Sequence, residues 1–229
     1  MERSSPIPAP LADARQAGIL FLHGHSRTGL SMRALVRQFD RAGYRTCAPT
    51  YASLTTSVPD IAERLRSRLI RFRAEFDGPL HIVTHSLGGL VARALMKAAR
   101  PDGLGRVVML APPHGGSEWA DLLSRLRMNR MVLGPAGRHL VTRRSAADEA
   151  VLSGVDFELG IIAGNRSLDP VLTRRIVSLP NDGKVSVAST RLAGMADHIT
   201  LPVSHTLMVN NREVGDQVAA FIRSGRFER

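Results

Sequence analysis

Leu80-His81-Ile82-Val83-Thr84-His85-Ser86-Leu87-Gly88-Gly89 is the stretch on which the reading of this chain turns. Residues 80–84 make an apolar run of strand length, and from Leu87 the positions Leu90, Val91, Ala94, Leu95 and Ala98 recur at helical spacing. The segment therefore predicts a strand, a sharp turn at Ser86 and a helix. In open parallel sheets the loops that build a site converge at the carboxyl ends of strands, which is where this serine falls. Tight strand-to-helix turns favour tiny residues two positions to either side, because Cβ atoms there crowd the bend. Gly88 meets that requirement downstream, whereas Thr84 stands where glycine is usual upstream. In this context Ser86 is a candidate nucleophile; considered alone, a serine before a helix also reads as an N-cap.

The same alternation extends in both directions. Gly18-Ile19-Leu20-Phe21-Leu22 reads as a buried strand ending at His23-Gly24, and a helix over 28–42 follows, with Met32, Leu35, Val36 and Phe39 on one face and Gly43 at its end. A strand over 44–49 precedes a helix marked by Ile61, Leu65, Leu69, Phe72 and Phe76, whose Arg64, Arg68 and Arg71 form a solvated stripe. Further strands are expected over 106–111, 157–163 and 196–201, with a last amphipathic helix over 212–223. Strands alternating with helices imply an α/β fold: a mostly parallel central sheet of about six strands covered on both faces by helices. No internal repeat or Pro/Gly/Ser-rich linker divides the chain, so residues 1–229 are expected to form a single domain.

At 229 residues, 44% hydrophobic and 22% charged, the chain has a globular composition that excludes disorder, collagen and coiled coil. A chain of this size buries roughly 70–75% of its unfolded surface, enough for a core without disulfide or metal staples. Cys47 is the one cysteine, so neither an internal disulfide nor a multi-thiolate metal site is available. No stretch of signal-peptide or membrane-span length is present, and the expected location is cytoplasmic, without integral membrane association. The net charge of +11 comes almost wholly from arginine, Lys97 and Lys184 being the two lysines. Those arginines are scattered, and at 4% aromatics there is no base-stacking surface, so nucleic acid is not an expected partner.

A nucleophilic serine needs a base, an acid to orient the base, and donors for the oxyanion. After the fifth strand the chain offers His198 and His205. His198 lies within a predicted strand, where the pleat fixes its ring direction, and His205 lies on the loop beyond it, so His205 is the candidate base. Asp182 and Asp169 are the candidate acids; Asn181-Asp182-Gly183 is a turn sequence that presents its carboxylate at a bent apex, and Asp169 is the rival. The amides of Leu87 and of His25, in the loop after the first strand, are the candidate oxyanion donors. His85, adjacent to Ser86, is expected to pack rather than react.

Five matching pieces, Leu22-His23-Gly24-His25, 84–89, 110–117, Asn181-Asp182-Gly183-Lys184-Val185 and Ser204-His205-Thr206, span positions 22–206. With Ser86, Asp182 and His205 in that chain order, the sequence resembles the α/β-hydrolase superfamily, and within it the small bacterial lipase and esterase branch. The resemblance implies hydrolysis of small-molecule, lipid or polymeric carboxylic esters through an acyl-serine intermediate, with no metal or organic cofactor. It implies activity that rises with pH as the base histidine becomes neutral. Residues 112–145 are expected to form a short lid or pocket-lining insertion, with Trp119, Leu122 and Met131 as candidate substrate contacts. An acyltransferase or thioesterase on the same triad, and a non-catalytic basic module for anionic surfaces or nucleic acid, are the alternatives.

Overall fold

The computed structural model describes residues 16–152 and 154–229; the Pro-rich leader lies outside the described residues. The chain enters at β1 (Gly18–Leu22) and passes through a 3₁₀ turn (Gly29–Met32) into α1 (Arg33–Arg41), then β2 (Arg45–Cys47) and α2 (Val58–Arg73). The 28–42 helix expected from periodicity is thus split. Gly29 is pinned beneath the second strand's exit, where a Cβ would stand 2.1 Å from the Ala48 carbonyl oxygen and where its amide donates to Thr50 Oγ1. Next come β3 (Leu80–His85), α3 (Leu87–Ala98) and β4 (Leu104–Leu110). Phe76 falls beyond α2 yet folds back edge-on against Phe72, and Arg64, Arg68 and Arg71 are exposed as expected.

Every pairing in the six-stranded sheet is parallel, in the order β2-β1-β3-β4-β5-β6, where β5 is Leu159–Gly164 and β6 is Asp197–Leu201. Strand parity divides the core. Leu20, Leu22, Leu80, Ile82, Val107, Met109, Leu159 and Ile161 pack with α2 and α3 on one face. Ile19, Phe21, Val83, Val108, Leu110 and Ile162 pack with α1 and α9 (Arg212–Ser224) on the other. Both faces are therefore apolar, which is why these strands read as continuous hydrophobic runs rather than alternating ones.

Between β4 and β5 the chain forms α4 (Glu118–Arg125), α5 (Asn129–Val132), a 3₁₀ turn (Gly134–His139) and α6 (Ala146–Ala150). Arg144 fastens this insertion from within. Its buried guanidinium donates to the carbonyls of His139, Pro113 and His114 and to Glu149 Oε2 at 2.7–2.9 Å. Between β5 and β6 lie the short α7 (Pro170–Thr173) and α8 (Val187–Thr190). No helix among the described residues is long and apolar enough to cross a membrane.

Candidate active site

From Leu80 to Met96 every residue is buried except Ser86. Its backbone sits at φ 53°, ψ −123°, a conformation that costs a non-glycine residue about 1–3 kcal/mol and persists only where the surroundings enforce it. Ser86 N–H is held by the Leu110 carbonyl at 2.8 Å, and Ser86 C=O accepts from the Gly89 amide at 2.9 Å. The start of α3 presses against β1 so closely that a Cβ on Gly88 would lie 2.4 Å from the Leu22 oxygen and 2.9 Å from that of His23. A Cβ on Gly24 would likewise meet His85 Nδ1 at 3.0 Å and Ser86 Cβ at 3.3 Å.

Thr84, in the place where the turn usually carries glycine, is wholly buried and its Oγ1 has no partner among the described residues. Gly89 is required by other neighbours: a Cβ there would stand 2.8 Å from Pro112 Cβ and 3.2 Å from Met109 Sδ, with Thr84 Oγ1 at an ordinary contact distance of 3.5 Å.

His205 and Asp182 are joined twice. The imidazole Nδ1 meets Asp182 Oδ2 at 2.7 Å, and the His205 amide donates to the Asp182 carbonyl at 2.9 Å. The other carboxylate oxygen, Oδ1, accepts from the amides of Lys184 and Val185 at 2.9 and 2.8 Å, so the turn that sequence reading singled out clamps its own acid. Two residues of the insertion brace the same turn, Trp119 Nε1 donating to Gly183 O and Ser117 Oγ to Lys184 O. Asp169 instead caps α7, its Oδ1 accepting from the Leu172 amide. His198 lies on β6 with its Nε2 against Thr190 Oγ1.

Ser86 and His205 line one cavity of about 600 Å³, together with Gly24, His25 and Trp119. Of the other two expected substrate contacts, Leu122 and Met131 do not line it. Leu123, one turn of α4 beyond Trp119, takes that face, and Met131 on α5 is 76% exposed; Leu133 and Leu140 complete the apolar wall. Neither the His25 nor the Leu87 amide has a protein acceptor among the described residues.

The loop bearing His25 is fixed by side chains. His23 Nδ1 donates to the Gly24 carbonyl, its Nε2 accepts from the Tyr51 amide, and the Tyr51 ring stacks on the imidazole while its hydroxyl donates to His23 O. His25 Nε2 donates to Leu133 O at 2.9 Å, and its Nδ1 accepts from Ser26 Oγ. Burial lowers the pKa of both histidines, keeping them neutral.

His85 does more than pack. Its Nε2 donates to the His205 carbonyl, and its pKa is driven well below the ordinary histidine value, first by burial and then by His205, Lys184 and Arg27. Sequence reading did not identify this tie, the Tyr51 support, or the cationic residues Arg27, Arg33 and Lys184 on the cavity wall.

A family model described as "Alpha/beta hydrolase family" matches residues 19–220. No curated protein matches the chain. Among solved structures it is similar to the mature lipase BlEst2 of Bacillus licheniformis, with a TM-score of 0.78, 19% identity and 96% of each chain covered. It is also similar to the phospholipase PlaB of Legionella pneumophila (TM-score 0.59, 18% identity, 92% of this chain and 57% of that one). A pyrethroid hydrolase of Sphingobium faniae JZ-2 has a TM-score of 0.54 and 15% identity over 91% of this chain and 98% of that one. At these identities the likeness to solved structures is one of fold.

Proposed function

The chain belongs to the alpha/beta hydrolase family, and from that premise we propose that it hydrolyses carboxylic esters through an acyl-serine intermediate, with Ser86 as nucleophile, His205 as base and Asp182 as orienting acid. The observation that carries this reading is the conjunction at one cavity: a strained, partly accessible Ser86 and a His205 whose Nδ1 is bonded to a buried carboxylate.

With Nδ1–H committed to Asp182, Nε2 of neutral His205 carries the lone pair that accepts a proton. In the proposed cycle Ser86 Oγ attacks the ester carbonyl carbon as His205 Nε2 takes the hydroxyl proton. The carbonyl oxygen becomes an oxyanion facing the amides of His25 and Leu87, which have no acceptor among the described residues. Collapse breaks the bond to the alcohol oxygen, which leaves with the proton from His205. Water then attacks the acyl-serine, gives its proton to Nε2 and releases the acid, restoring Ser86. Asp182 stabilises the imidazolium of each half-reaction, and the five bonds on its carboxylate and backbone keep it from turning away.

The apolar wall of Trp119, Leu123, Leu133 and Leu140 suits an acyl chain. The test is Ser86→Ala with p-nitrophenyl butyrate as substrate. Turnover is expected to fall by about three to six orders of magnitude with the circular dichroism spectrum unchanged. A phosphonate serine probe is expected to label Ser86 in the parent and nothing in the variant. Retained turnover in a correctly folded Ser86→Ala protein overturns the proposal.

A further inference from the structure

Among the described residues, the charged ones that line the Ser86 cavity are Arg27, Arg33 and Lys184, and no aspartate or glutamate lines it. All three are exposed at the cavity wall. None of them has an ion-pair partner among the described residues. The acid next in the chain to Lys184 is Asp182, and both of its oxygens are already taken by the Lys184 and Val185 amides and by His205. From this convergence of unpaired cations around Ser86 we infer that the preferred substrate is an ester carrying a second, ionised oxyanion group, carboxylate or phosphate, a few atoms from the scissile carbonyl.

Electrostatics within the site agree with this placement. Partial burial and the Arg27 charge lower the Lys184 pKa, with Asp182 opposing them, so Lys184 and Arg27 repel one another across the wall. Both cations also disfavour a proton on His85, the neighbour of Ser86 in the chain. A substrate anion between Lys184 and Arg27 relieves that repulsion and meets two donors with no competing acceptor. The planar guanidinium supplies a fork that matches carboxylate or phosphate oxygens. Leu30 and Leu207, exposed on the same wall, and the Trp119 side of the cavity provide apolar surface for the remainder of the molecule. A cavity walled by one sign of charge also concentrates oppositely charged ligands, so the preference falls with ionic strength.

This inference rests on the ester hydrolase reading, and its test separates the two. Two matched pairs of esters are compared: p-nitrophenyl hemiglutarate against p-nitrophenyl pentanoate, with the charge on the acyl side, and butyrylglycerol phosphate against monobutyrylglycerol, with the charge on the alcohol side. In at least one pair the anionic member is expected to have a kcat/KM about tenfold or more higher at low salt. Whichever pair shows this identifies the source of the anion. Arg27→Gln and Lys184→Gln are each expected to lower that ratio, and the double variant to bring it to about one; Arg27→Lys, which keeps the charge, retains most of it. Because the ratio compares two substrates on one protein, loss of folded material does not alter it. Equal kcat/KM within both pairs overturns the anion preference, and a ratio unchanged in the double variant overturns its assignment to Arg27 and Lys184; either result leaves the hydrolase reading intact. Calorimetric binding of the hemiglutarate to Ser86→Ala supplies the converse: discrimination in binding, with no ester turned over by the parent protein, retains the anion subsite and removes the hydrolase reading.

Discussion

Nε2 of His85 lies 2.9 Å from the main-chain oxygen of His205 and donates a hydrogen bond to it, across 120 residues of sequence, with the two rings 4.8 Å apart. The strand end that carries Ser86 thereby holds the loop that carries His205. A carbonyl is an acceptor only, so His85 is protonated on Nε2, and its depressed pKa keeps that ring neutral beside the proposed base.

His85→Ala removes this donor and leaves a buried carbonyl unsatisfied, at a cost of about 1–3 kcal/mol. His205 then lacks one of its anchors, and small misplacements of a reacting group can cost about a hundredfold in rate. The expected result is a kcat for p-nitrophenyl butyrate about 10 to 100 times lower, with KM much less affected. His85→Gln, which restores an N–H donor, recovers part of the loss. A kcat unchanged in His85→Ala would sink the positioning role.

Asp182→Asn tests the acid more sharply than alanine does. The amide oxygen still accepts from Lys184 and Val185, so the turn keeps its shape, but an N–H₂ now faces His205 Nδ1 and selects the wrong tautomer. By analogy with the corresponding serine protease substitution, kcat is expected to fall about 10⁴-fold. Asp169→Asn, which preserves a good helix cap, is expected to stay within about twofold of the parent. Equal losses in the two variants would mean that Asp182 has no special role.

Much of this arrangement was legible locally. Hydrophobic runs of strand length, one helix period per crossover and the Ser86 turn lead to a six-stranded parallel sheet, and the turn chemistry of Asn181-Asp182-Gly183 separates the residue bonded to His205 from Asp169. Contacts between residues distant in sequence were not legible, because no periodicity encodes them. His85 with His205, His25 with Leu133, and Trp119 with Gly183 depend on how loops meet above the sheet. The insertion defeated pattern reading for another reason. Its helices are short, and its apolar anchors, Ala120, Leu133, Ala136 and Leu140, are scattered among them and joined by polar bonds such as those of Arg144 rather than lying on one long stripe. Met131 accordingly looked like a pocket residue and is 76% exposed.

Gly88 offers a stability test of the turn that is independent of substrate. Alanine there would place its Cβ 2.4 Å from the Leu22 carbonyl oxygen, which is backbone and cannot rotate away. α3 must withdraw from β1, at an expected cost of about 2–4 kcal/mol, with the Ser86 geometry disturbed as well. Gly154, where an added methyl would meet nothing within 4 Å among the described residues, serves as the control, and Gly154→Ala is expected to change stability by about 0.5 kcal/mol or less. Urea unfolding midpoints measure both; similar midpoints would show that the helix start tolerates a side chain.

Acid stability is limited by buried histidines, of which His114 and His81 are two. Burial, helped by Arg93 and Arg144, lowers the His114 pKa to about 3, and burial with Arg106 lowers that of His81 to about 4. In the unfolded chain both titrate near 6.5. Above that pH neither state binds these protons and their stabilising contribution is fully present. As pH falls below it the unfolded chain takes up protons that the folded protein refuses, so stability is lost progressively toward the folded-state values. At pH 5 the loss amounts to about 2 kcal/mol for each histidine as an upper figure. His114 makes the cleaner probe, since neither ring nitrogen has a partner among the described residues and an apolar replacement of similar size forfeits no hydrogen bond. His114→Leu is therefore expected to unfold in urea at nearly the parental midpoint at pH 7.5 and at a higher one than the parent at pH 5. Parallel pH dependences for the two proteins would mean that His114 takes up its proton as readily when folded as when unfolded, and that burial does not exclude charge at that site.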